Sequence, residues 1–145
     1  MNMLRHLCLA LLLGLAAAAA TPAQAASFRA VLITASPERG PTDPRLATYE
    51  VTLKRVLRFN SYTFQGSDDA PLEANGQARL MIGQGHELAV ETGANPLALR
   101  IRWTEGGRTL MNTGITLRPG VPAVLGGPAT GNAPGEVYAV ILVAR

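Results

Sequence analysis

At 145 residues, 48% hydrophobic and 16% charged, the chain has material for one domain with a sizeable core. That apolar share excludes a disordered chain, and so few charges exclude a long solvent-exposed coiled coil. The formal net charge is +3 and the longest basic run is Lys54-Arg55, which excludes a polybasic tail for nucleic acid.

The chain opens with Arg5, then an apolar and small-residue run from Leu7 to Ala20, then Ala23-Gln24-Ala25. This is the layout of a secretory signal peptide cut after Ala25. The apolar run falls short of the roughly 20 residues that cross a bilayer. Cys8 is the only cysteine, and it precedes most of the run, where a lipid-bearing cysteine would follow it. The exported chain is therefore expected to lack disulfides, thiol nucleophiles and thiolate metal ligands. Residues 26–145 are expected to form a single β-rich domain, periplasmic or secreted, with no membrane span once the signal is removed. Lys54 is the only lysine among 13 basic residues, the composition of high-GC bacterial coding.

Phe28 to Ala35 is nearly continuous apolar and β-branched sequence, which predicts a buried strand. Asp43-Pro44 is a helix start, with an Asp cap and Pro in the first turn. Leu46, Tyr49, Leu53, Val56 and Leu57 then recur on one stripe, predicting a helix over 44–57 with Glu50 and Lys54 paired on its outer side. Strands follow at 59–65, 78–82, 86–91, 97–103, 109–117, 121–125 and 137–144, with turns at 83–85 and 105–107. Gly114 marks a bulge or distortion, and residues 66–76 are expected to be a polar loop. The first and last strands are apolar on both faces, so they belong in the middle, covered by the helix on one side and sheet on the other. The expected fold is mainly β (α+β): an antiparallel β-sandwich or half-barrel of about seven or eight strands, with one helix between the first two.

Pairing across the short turns sets Leu80 opposite Leu88, Ile82 opposite His86, Val90 opposite Leu97 and Glu87 opposite Arg100. The outward face then mixes Arg79, Arg100 and Arg102 with Glu87 and Glu91, and its fields cancel. Nucleic acid needs an unneutralised basic stripe, so none is expected as a partner.

Chemistry-bearing residues are sparse. His86 is the only histidine after the signal; it sits on the apolar parity, with no second His or Cys for a metal and no G-x-S-x-G for a nucleophile. Ser67, Asp68, Asp69, Glu73 and Asn75 are rich in oxygen but lack the EF-hand spacing, so a solvated loop is expected there and not a calcium site. Trp103 shares the apolar parity of Leu99 and Ile101 and belongs to the core. The glycine-rich stretch 126–135 lacks a phosphate-loop signature, and no cofactor is expected. With no large apolar side chain to bury, it predicts a mobile loop whose length serves a partner, with Gly126, Gly127, Pro128, Asn132, Pro134 and Gly135 as the contact residues.

These features point to a non-catalytic binding or assembly protein of the bacterial cell envelope, meeting an unknown envelope protein through a sheet edge or that loop. The alternative is a carrier that holds a small apolar molecule between helix and sheet. A hydrolase built on Asp68, Asp69 and His86 is the least expected.

Overall fold

Strand β1 (Ser27–Ser36) pairs antiparallel on both sides, with β2 (Ser61–Pro71) and with the last strand, β8 (Val137–Ala144). The computed structural model describes residues 26–145; the expected export segment, 1–25, lies outside the described residues. With β7 (Ala123–Ala129) beside β8, these four make one sheet in the order β2-β1-β8-β7. The second sheet is a plain meander of β3 (Gln77–Gly83), β4 (His86–Thr92), β5 (Ala98–Glu105) and β6 (Arg108–Thr116). Eight strands in two antiparallel sheets, with one helical segment between β1 and β2, are the expected sandwich.

The apolar character of β1 and β8 on both faces has its reason in two cores. Phe28, Ala30 and Leu32 with Val140 and Leu142 face the second sheet, meeting Leu80, Leu88, Ile101 and Trp103. Val31 and Ile33 with Ala139 and Ile141 face the other way, under Leu46, Leu53 and Tyr62. Burial of this kind, at roughly 25 cal/mol per Å² of apolar area, drives the fold.

The helix expected over 44–57 divides. Pro44–Tyr49 is a 3-10 helix, and only Glu50–Val56 (α1) is α-helical. Three residues per turn keep Leu46 and Tyr49 over the sheet, and the α turn then brings Leu53 and Leu57 down. Val56 falls off the seam and is 50% exposed. Asp43 holds the start as expected: its carboxylate accepts from the Arg45 amide at 3.0 Å and the Arg45 guanidinium at 2.8 Å. These bonds hold the Asp43 carboxyl well below the usual carboxylate range.

The segment expected as a loop from 66 is strand as far as Pro71. Gly66 explains how. A β-bulge opposite Leu32 and Ile33 bends β2 there, and a Cβ on Gly66 would overlap the Ile82 carbonyl. Only glycine lets β2 pass so closely over β3, which closes that side of the sandwich.

Register also departs from expectation in the second sheet. Leu80 faces Leu88 as predicted, but a bulge sets Gly83, and not Ile82, opposite His86. Between β4 and β5 the pairing moves by four residues: Val90 faces Ile101, Ala89 faces Arg102 and Glu91 faces Arg100. Asn95 is the cause, since its side chain accepts from the Leu97 amide and its carbonyl from the Ala98 amide, so β5 starts at Ala98. An even shift keeps every side chain on its expected face and changes only its neighbours. Among the described residues, no helix is long and apolar enough to cross a membrane.

Candidate functional site

The glycine-rich stretch is not one loop. Gly126, Gly127 and Pro128 lie within β7, where a bulge interrupts pairing with β8. Gly127 backs onto the indole of Trp103, and a Cβ would lie 2.6 Å from Cζ3 and 2.9 Å from the Tyr138 carbonyl. The connection itself is the turn 130–136, holding Asn132, Pro134 and Gly135. It is tied by the Thr130 amide to the Glu136 carbonyl at 3.0 Å and by the Thr130 hydroxyl to the Glu136 carboxylate at 2.9 Å. Half of the expected contact residues are thus strand, and at Gly127 the core leaves no room for a side chain.

The acidic cluster is committed to structure as well. Arg29 bonds Asp69 through two nitrogens, at 2.9 and 3.1 Å, which pulls the Asp69 carboxyl down. Asp68 accepts from the Met81 amide at 3.0 Å. Among the described residues no three His, Cys, Asp or Glu side chains converge as a metal site would require.

His86 is fully buried with Trp103, whose indole N–H donates to Nδ1 at 2.9 Å. Tyr138 packs a ring 4.4 Å away. Accepting at Nδ1 places the imidazole proton on Nε2, which has no hydrogen-bond partner; the Glu105 carboxylate stands 3.8 Å off. Burial pushes the His86 pKa down, against the opposing pull of Glu105. The unfolded chain therefore takes up this proton more readily than the folded one. The contribution is fully present above the unfolded value of 6.5 and is lost as pH falls below it toward the lowered folded value. Melting temperature is expected to fall between about pH 7.5 and about pH 5, and His86→Gln to flatten that slope, above the range where carboxylates titrate.

The remaining geometry concerns sheet edges, whose unpaired backbone groups invite another strand. Three of the four are blunted. Along β2, the Asp43 amide donates to the Tyr62 carbonyl at 2.9 Å and the Phe64 amide to the Asp43 carboxylate at 3.3 Å. The β3 edge has β2 folded over it, with Asp68 on the Met81 amide. β7 carries its bulge and Pro128. β6 has a bulge only at its start, at Leu110; from there it carries no Pro, no Lys and no acidic residue, and its pairing with β5 is unbroken from Met111 to Thr116. Among the described residues no group bonds to its outer side. The Leu117 amide donates to the Leu97 carbonyl at 2.8 Å, which fixes the alternation along the pair. Asn112, Gly114 and Thr116 therefore present their N–H and C=O groups outward.

Beside this edge, the outer face of the second sheet is an open concavity of about 870 Å³, with Ala89 and Gly114 as its low points and Arg79, Glu91, Arg100 and Arg102 around them. The expected cancellation of charge is incomplete. Arg79 reaches Glu87 at 3.3 Å. The four-residue shift leaves Arg102 between Ala89 and Asn112, with no acid directly across. Among the described residues neither Arg100 nor Arg102 is within ion-pair distance of a carboxylate. The edge was missed because a sequence shows which residues form a strand but not which strand ends a sheet. One signal was present: the chain has no acidic residue between Glu105 and Glu136. Compared with models of protein families, with curated proteins and with solved structures, the chain matches none.

Proposed function

We propose that this is an exported, non-catalytic binding protein of the bacterial cell envelope, which takes an extended segment of a partner protein as a fifth strand beside β6. The observation that carries the reading is the contrast among the edges: three are blunted by named groups, and β6 is open from Met111 to Thr116. Export rests on the layout of residues 5–25. The apolar-carrier alternative draws no support from the seam between helix and sheet, which Leu46, Leu53, Tyr62, Ile33 and Ile141 fill with no exposure.

Asn112→Pro tests the edge. Its N–H points away from β5, so proline there removes an outward donor and leaves the β5–β6 ladder whole. Pull-down from envelope extract is expected to recover a specific protein with the native chain, at about one tenth the yield with the proline variant, the effect of losing roughly 1.4 kcal/mol of binding. Equal recovery by a folded Asn112→Pro variant would exclude β6 as the docking edge. Intact-mass measurement of the exported protein is expected to place its first residue at Ala26.

A further inference from the structure

We infer that the segment taken up at β6 is acidic, with Asp or Glu at alternate positions that reach Arg100 and Arg102 across the low side chains of β6. The inference rests on the edge reading and adds the partner's chemistry.

The charges nearest the open edge are almost all of one sign. Arg108 lies on β6, Arg118 just beyond it, and Arg100 and Arg102 one strand in. Glu105 stands 4.0 Å from Arg108, and Glu91 lies across from Arg100 on the side away from the edge, without an ion pair to it among the described residues. Glu87 and Glu91 are on β4, one strand further from the edge. A segment beside β6 would lie about 14 Å from β4 at the usual strand spacing. That exceeds the screening length of about 8–10 Å, whereas arginine side chains on β5 extend toward the newcomer.

Geometry selects which partner residues meet them. Gly114 stands directly opposite Arg100 and Asn112 opposite Arg102, with side chains on the concave face. Because Asn112, Gly114 and Thr116 direct their backbone groups outward, partner residues bonded to them put side chains on that same face. A partner Cα opposite Gly114 would lie about 10 Å from the Arg100 Cα, one narrow and one wide pair spacing together. An arginine and a glutamate side chain together span that gap. Gly114 leaves it open, since the nearest atom to the position of a Cβ is the Leu99 carbonyl oxygen at 3.8 Å. The φ of Gly114 is not in the left-handed region, so the backbone does not call for glycine here.

Three blocked peptides of about seven residues, the usual strand length, test this: alternating Glu/Val, Gln/Val and Lys/Val. Binding to the full chain, processed and purified as the cell exports it, would be read by fluorescence anisotropy. The Glu/Val peptide is expected to bind about tenfold tighter than Gln/Val, with Lys/Val weaker than both, and to lose that advantage with rising salt. Arg100→Gln with Arg102→Gln, both exposed positions, should bring Glu/Val to the level of Gln/Val. A Glu/Val peptide N-methylated at alternate residues, which cannot pair as a strand, should not bind, and this control requires no change in the protein. If Glu/Val and Gln/Val bind equally while the N-methylated peptide fails, the acidic preference is overturned and the edge reading stands. If the N-methylated peptide binds as well as its parent, the arginines hold a polyanion without strand pairing, and both readings are overturned. Binding by none of the peptides also overturns both.

Discussion

Trp103→Ala is expected to lower the unfolding free energy by about 3–5 kcal/mol, a large share of the roughly 5–15 kcal/mol that stabilises a domain of this size. Trp103 has no exposed surface and is the largest side chain in the core between the sheets. Truncation removes that packing and leaves His86 Nδ1, already beside an unpartnered Nε2, with no hydrogen bond at all. Trp103→Phe separates the two contributions. It keeps most of the apolar bulk, so its cost includes the orphaned acceptor, about 1–3 kcal/mol. Arg100→Ala, three residues before Trp103 on the same strand, is the control on the opposite face. It should cost below about 1 kcal/mol. Urea denaturation of the variants gives the comparison; equal shifts of midpoint for Trp103→Ala and Arg100→Ala would contradict the alternation of β5.

That alternation was the most legible feature of the sequence. Leu99, Ile101 and Trp103 are buried and Arg100 and Arg102 exposed, because a half-buried strand repeats every two residues whatever it pairs with. The central places of β1 and β8 were legible for a similar reason: a strand apolar on both faces must be covered on both. Three things were not. The register of β5 depends on the Asn95 turn, whose two hydrogen bonds delay the start of the strand and leave parity untouched. The length of β2 depends on Gly66, which reads in sequence as the start of a loop and acts as the close crossing over β3. Asp68 and Asp69 read as loop oxygens and serve a strand, one bonding Arg29 and the other the Met81 amide. In the last two cases a residue with a local turn preference was recruited by a contact distant in sequence.

The candidate site was less legible than the fold, and the reason is topological. The strands from β3 to β6 all carry the same alternating signal, while openness belongs to the order of strands within a sheet. Two of the three blunted edges are defended by groups from elsewhere in the chain, Asp43 for β2 and Asp68 for β3. Such groups occupy backbone positions that another strand would otherwise pair with. An undefended β6 in a molecule that blunts its other edges is the feature on which partner binding by strand addition rests.

Gly127→Ala is the second large effect, and it distinguishes the core role of the glycine-rich stretch from a contact role. Gly127 is not in the left-handed region, so conformational entropy alone would favour alanine by about 0.4–1 kcal/mol. Packing opposes this. The new Cβ would overlap Cη2 of Trp103, lie 2.6 Å from Cζ3, and stand 2.9 Å from the Tyr138 carbonyl. Both the indole and β8 would have to shift, so the net cost is expected to be about 1–3 kcal/mol or more, the range for an overpacked core. The Trp103→Phe background tests the cause, because phenylalanine lacks the two ring atoms that the methyl meets. Adding Gly127→Ala there should cost less than in the native chain, with a coupling of roughly 0.5–3 kcal/mol. The Tyr138 carbonyl keeps part of the penalty in both backgrounds. Asn132→Ala, in the exposed turn, should stay within about 0.5 kcal/mol of the native chain. Were Gly127→Ala as neutral as Asn132→Ala, the stretch would be surface from end to end and available to a partner. A penalty that shrinks with the indole instead assigns Gly127 to the core and leaves only the turn beyond Ala129 free for contact.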